Sequence, residues 1–249
     1  MASLSLLSFE IFKPFKNLIC LFSTRRNGFS KEPYDSLNLG LRTGDNFADI
    51  EKNRAKFFKE ISIHQDQIAF TDQIHSARAI VIEQSGIYSK SDALITARKG
   101  LFLAIQAADC FPIFLYDPKN QIIAAIHAGW RGVVDGIIEN TISSLCTVFS
   151  TDSSDLFAAV GPGLQRECFE VREDVYNLVD RKYMTQHPDR TKKFFDLQSL
   201  IEDRLINIGI IKEHVDLIPL CTKCENNLFF SYRRDKAQSG RMMGIIGLL

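Results

Sequence analysis

Residues 113–132, IFLYDPKNQIIAAIHAGWRG, constrain this chain more than any other stretch. Two apolar runs flank Asp117-Pro118-Lys119-Asn120, a composition that closes a tight antiparallel hairpin. With Asp117 facing Asn120, the ladder pairs Tyr116 with Gln121 and, further out, Cys110 with His127. Directly opposed β-carbons lie about 4.5–5.5 Å apart, close enough for two side chains to share a metal or exchange a proton. Pro112 interrupts the ladder, because proline brings no N–H and belongs at an edge or an irregularity. The second run ends in His-Ala-Gly-Trp-Arg-Gly. Gly129 and Gly132 allow a sharp strand-to-helix turn, and the helix start then presents free N–H groups and its positive dipole end toward His127. Arg131 adds a planar fork of donors suited to phosphate or carboxylate. Taken singly, Trp130 packs, Arg131 is a solvated charge and His127 is a satisfied core histidine; only their convergence suggests a site.

The rest of the chain reads as one continuous α/β unit of mixed, α+β-like sheets, a single compact domain with room for two lobes. Strand-like composition marks 18–23, 79–83, 101–107, 113–116, 122–126 and 157–160. Helical spacing marks 47–61 behind a cap at Asp45 or Asn46, 133–149 with Val134, Ile138, Ile142 and Leu145 on one face, and 197–208 closed by Gly209. No repeat or low-complexity linker divides it.

Thirty basic and thirty acidic residues cancel, which argues against nucleic acid or an anionic membrane as a bulk electrostatic partner. The N-terminal MASLSLLSFEIFKPF lacks a basic lead-in and meets Glu10 early, so it reads poorly as a signal peptide, and no apolar run reaches the about eighteen residues of a membrane span. The expectation is a cytoplasmic protein whose six cysteines are reduced thiols rather than a disulfide framework.

A metal shared by Cys110 and His127 needs a third ligand. His75, in FTDQIHSARAIVI, would complete a two-histidine, one-cysteine set of the catalytic zinc type, with the fourth position left for water or substrate. Asp109 beside Cys110 would orient a ligand or act as acid or base, although an aspartate at a strand end is as often a turn residue.

Five segments in order, QIHSA (73–77), AADCFPIFLYDP (107–118), HAGWRG (127–132), GPGLQRECFEV (161–171) and FFSYRRDKAQSGRMMG (229–244), resemble the signatures of the bacterial laccase-domain family, known both as polyphenol oxidases and as purine nucleoside phosphorylases. STRRNGFS (23–30) and SLNLGLRTGD (36–45) resemble its N-terminal signatures. The resemblance implies one laccase-type domain over residues 1–249, with zinc held by His75, Cys110 and His127. It implies phosphorolysis of adenosine, inosine and methylthioadenosine to free base and ribose 1-phosphate, and deamination of adenosine. Catalytic roles fall to Cys110 and Asp109, substrate contacts to Asn38, Arg131, Arg25 and Tyr232, with Arg233 alongside; the partners are purine nucleosides and phosphate. This chain carries Asn27-Gly28 where Gly-Gly is usual, Ala108 for Thr and Phe169 for Tyr.

Three rival readings stand beside this one. Two histidines and a cysteine are also the equatorial set of a blue-copper centre, so a copper-dependent polyphenol oxidase is one; five histidines in all are few for a multicopper cluster. A Cys110 thiolate with His75 or His127 as base, acting on amides of peptidoglycan precursors with or without metal, is another. A nucleoside-binding protein without turnover is the third. Cys221-x-x-Cys224 resembles half a zinc ribbon, but with no second pair in the sequence it reads as packing.

Overall fold

Long apolar strands without polar alternation need cover on both faces. The computed structural model, which describes residues 3–249, supplies it with two stacked sheets. The strands are β1 (Leu6–Ser8), β2 (Leu18–Ser23), β3 (Ile68–Thr71), β4 (Ala79–Val81), β5 (Gly86–Tyr88), β6 (Ala93–Thr96), β7 (Phe102–Ala107) and β8 (Phe111–Asp117). There follow β9 (Ile122–Ala128), β10 (Phe157–Val160), β11 (Glu170–Val171), β12 (Met184–Gln186), β13 (Lys193–Phe195), β14 (Val215–Leu217) and β15 (Met242–Leu248). The helices are α1 (Phe47–Glu60), α2 (Trp130–Val134), α3 (Ile137–Phe149), α4 (Glu173–Tyr176), α5 (Leu197–Asn207) and α6 (Tyr232–Asp235).

One sheet runs β1-β2-β15-β7-β3-β5, the other β14-β10-β8-β9-β6-β4, and a small ribbon runs β11-β13-β12. Both large sheets mix parallel and antiparallel pairs. Alternation along β7 and β8 shows why their central residues are apolar on both faces. Leu103 and Ile105 face Phe114 and Tyr116 between the sheets, while Phe102 and Ala104 pack outward beneath Phe57 and Phe58 of α1. On the far side, Ile113 and Leu115 lie under α3 and α5 through Ile138, Ile142 and Leu200. The layers are helix, sheet, sheet, helix, in one compact domain without separate lobes. No helix among the described residues is long and apolar enough to cross a membrane.

Strands 18–23 and 157–160 match the expected bounds, and Asn46 rather than Asp45 caps α1, accepting from the amides of Ala48 and Asp49. Two expectations are corrected. The helix expected over 133–149 is two helices, because Gly136 at φ 92° breaks it. The element beginning at Trp130 is therefore only five residues long, and a long-helix dipole aimed at His127 does not exist. The hairpin register is also different: Asp117 pairs with Ile122, and Pro112, not Cys110, pairs with His127. Asp117 explains this, since its carboxylate accepts from the amides of Lys119 and Asn120 and the loop lengthens to 118–121, with Gln121 at φ 55°. The slip is by two residues, so every side chain keeps its face.

Strand β15 was not expected from the sequence, because Gly244 and Gly247 punctuate it. Each glycine leaves room for a ring: a β-carbon on Gly247 would overlap Phe102, its partner across the ladder. Gly247→Ala should destabilise the fold by about 1–3 kcal/mol through overpacking. Urea unfolding would measure this, and an unchanged midpoint would contradict it.

Candidate functional site

The strand end at His127 is organised around a buried carboxylate. Asp92, fully buried at the head of β6, accepts on Oδ1 from His127 Nδ1 at 2.8 Å and from the His75 amide at 3.0 Å. Its Oδ2 accepts from the Ser76 amide and hydroxyl, both at 2.7 Å, and from the Ile74 amide at 3.3 Å. One side chain thus fixes the His127 ring and the turn that carries His75. The turn also needs His75 at φ 62°, a left-handed conformation that is uncommon outside glycine and that a surrounding network must hold. Gln73 secures the turn from the other side, exchanging two hydrogen bonds with the Gln106 backbone.

Cys110 arrives from the other strand of the hairpin. Extending the observed register places it opposite Gly129, with His127 one diagonal away, still within reach on the same face. The ligand atoms of His75, Cys110 and His127 lie within 4.8 Å of one another, and the two histidine rings stand edge to face with centroids 4.8 Å apart. Since Nδ1 of His127 is committed to Asp92, Nε2 is left for the Cys110 side. This carboxylate–histidine arrangement fixes tautomer and orientation in metal sites, and the soft sulfur with two imidazoles suits zinc or copper. The donor set therefore fits a metal ion.

Charge follows geometry. Burial pushes the Cys110 thiol up, but the His127 ring and hydrogen bonds from both histidines outweigh it and bring the thiol down to about 6. Burial likewise opposes the His127 charge, yet the Cys110 sulfur and Asp92 raise that ring to about 9. Asp92 is held at about 2, its own burial overcome by His127 and Ser76. Both shifts run in the same sense, each partner favouring the charged form of the other.

The three ligands open into a cavity of about 780 Å³, a size suited to a small organic ligand. Arg131, Tyr232, Arg233 and Arg241 line it with Trp130 and Phe169. Arg131 stacks on Trp130 at 4.4 Å and Arg233 lies 5.3 Å from the Phe169 ring centroid. A smaller annex of about 370 Å³ shares Trp130, Arg131, Phe169 and Arg233 and adds Arg172 and Lys192, with Glu170 and Asp174 at its wall.

Of the residues expected from the sequence, His75, Cys110 and His127 converge, and Arg131 and Tyr232 face the cavity. Asp109 lines it too, but its carboxylate already accepts from the Thr222 hydroxyl at 2.7 Å and the Arg233 amide at 2.5 Å. Arg25 and Asn38 do not line it. Arg25 packs on the Phe230 ring and pairs with Asp35, and Asn38 is buried, accepting from the Gly40 and Arg241 amides. The sequence reading missed Asp92 and Arg241. The one available signal for Asp92 was an acid leading directly into three buried apolar residues, Ala93 to Ile95. It also gave the wrong reason for Gly129, whose φ of −73° any residue adopts. Gly129 is required by approach: a β-carbon there would lie 2.5 Å from His75 Nδ1 and 3.2 Å from Cys110 Sγ.

Residues 19–249 match the family model described as multi-copper polyphenol oxidoreductase laccase. The chain is 31% identical to the purine nucleoside phosphorylase YlmD of Bacillus subtilis, over 94% of this chain and 89% of that one. It is 35% identical to the purine nucleoside phosphorylase YfiH of Escherichia coli, over 94% and 95%. Among solved structures, the hypothetical protein YfiH of Bacillus licheniformis superposes with a TM-score of 0.90 at 29% identity over 93% of each chain. YlmD of Geobacillus stearothermophilus superposes with a TM-score of 0.89 at 28% identity, over 95% and 93%. With the match spanning nearly every element that builds the site, this chain belongs to the multi-copper polyphenol oxidoreductase laccase family.

Proposed function

We propose that this chain is a zinc-dependent purine nucleoside phosphorylase that also deaminates adenosine, acting in the cytoplasm, where its thiols stay reduced. The observation that carries the reading is the convergence of His75, Cys110 and His127 at an arginine-lined cavity of nucleoside size; the names of the curated relatives support it. Adenosine, inosine and methylthioadenosine are the substrates. When bound, a divalent ion supplies positive charge and Lewis acidity at that point.

The chain's own residues divide the remaining work. Phosphorolysis joins a phosphate oxygen to the ribose C1′ as the bond from C1′ to the purine breaks, so a monoanionic or dianionic phosphate must be held beside the sugar. Arg131 and Arg233, shared between cavity and annex, take that role through charge-assisted hydrogen bonds. Trp130 and Phe169 supply apolar surface for the base, Tyr232 closes the rim, and Asp109 positions Arg233 by holding its amide. Asp92 keeps His127 in one orientation. Only one of the two cysteine- or histidine-containing clusters among the described residues contains histidine, which favours zinc over a multicopper centre.

The test uses protein purified without added metal: elemental analysis for zinc and copper, with adenosine turnover followed with and without phosphate, in the parent and in Cys110→Ala. The expected result is bound zinc and phosphate-dependent adenine release in the parent, with turnover falling at least about a hundredfold in the variant as the ligand set is broken. Zinc-loaded protein that converts adenosine neither way would overturn the proposal. A second reading, a Cys110 nucleophile cleaving amides of peptidoglycan precursors, is favoured by the hydrogen bonds that both histidines make to the sulfur; amide cleavage that survives chelation would select it.

A further inference from the structure

Cys221-x-x-Cys224 has no second cysteine pair in the sequence, but the fold brings a third thiol to it from 56 residues before Cys224. Cys168, at the end of the single 3-10 turn Arg166–Cys168, lies with its Sγ 3.3 Å from Cys224 Sγ, and the sulfurs of Cys168, Cys221 and Cys224 all fall within 4.8 Å of one another. We propose that these three cysteines form a second metal site, a thiolate centre for zinc, separate from His75, Cys110 and His127.

Four observations carry it. A tetrahedral zinc with Zn–S of about 2.3 Å places its sulfurs about 3.8 Å apart, and sulfurs that all lie within 4.8 Å of one another, two of them at 3.3 Å, are near enough to close on one ion. The sulfurs grade from buried Cys221 through half-buried Cys168 to exposed Cys224, as an ion entering from solvent requires; three packing thiols would have no reason to meet at the surface. The base is preorganised: the Glu225 and Thr222 amides donate to the carbonyls of Cys221 and Gly163, fixing the turn that carries Cys221 and Cys224. The loop is also braced from outside. Cys221 bridges Gly163, and the Arg234 guanidinium donates to the carbonyls of Thr222 and Lys223.

The site's place in the fold gives it a task. Thr222, inside the cysteine loop, donates to Asp109, and Asp109 neighbours Cys110 and holds the Arg233 amide. An ion on the three sulfurs would lock together the two segments, 163–169 and 221–234, that wall one side of the cavity. Its role is structural, with the fourth position left to water or an exogenous thiol.

The experiment is zinc loading of the full-length chain under reducing conditions. Zinc per chain is measured after gel filtration in the parent, Cys110→Ala, Cys224→Ser and the double variant. The expected stoichiometries are about two, about one, about one and about zero. Cobalt substituted into Cys110→Ala should give an intense thiolate-to-cobalt charge-transfer band that Cys224→Ser in the same background abolishes. Because a variant can misfold, the parent supplies an independent readout. Zinc should slow maleimide labelling of Cys224 and Cys168, read peptide by peptide by mass spectrometry, about tenfold or more. A Cys110→Ala chain that is folded yet holds no zinc, or labelling of the three cysteines that zinc leaves unchanged, would overturn the proposal.

Discussion

Gly129→Ala should leave a folded protein that no longer holds metal between His75, Cys110 and His127. Alanine adopts φ −73° and ψ 154° without strain, so the backbone has no cause to move. The added β-carbon instead lies 2.5 Å from His75 Nδ1 and 3.2 Å from Cys110 Sγ, and the two ligands must part. The expected cost is about 1–3 kcal/mol in stability, against a loss of at least about a hundredfold in zinc affinity, with turnover falling alongside. Competition against a chromogenic chelator, paired with urea unfolding, separates the two effects. An alanine variant that retains zinc as tightly as the parent would show that the three side chains do not act as one ligand set.

Asp92→Asn should damage both stability and the site. Each carboxylate oxygen accepts from backbone amides as well as a side chain. Whichever way the asparagine amide turns, its NH₂ group meets donors, and the buried His127 loses its counter-charge. Breaking a buried pair of this kind costs about 3–5 kcal/mol, and losing the partner that orients a ligating histidine costs about 10–100-fold in metal affinity. Urea unfolding and zinc competition again provide the measurements; parent-like values for both would remove Asp92 from its organising role.

These two residues show where sequence was and was not informative. Strands β7 to β10 and helices α1 and α5 were legible because their signals are local: unbroken apolar runs, a cap at Asn46, a closing Gly209. His75, Cys110 and His127 could be named by the resemblance and by the hairpin argument, which survived a wrong register because a slip of two residues preserves the face. Asp92 was invisible because its importance lies in which distant amides and ring reach it, and no spacing rule encodes that. Strand β15 hid behind two glycines that serve Phe102 and Phe114 rather than a turn. Cys168 gained meaning only when the chain folded it against Cys224, 56 residues further on.

The Asp92 knot also has a bearing on how this protein would be equipped with metal. Because the carboxylate gathers the His75 turn and the His127 ring through groups of the chain itself, the bonds that set these two donors in place involve the protein alone. Two imidazoles and one sulfur are donors that zinc and copper both accept, so the arrangement Asp92 enforces sets where an ion would sit rather than which ion it is.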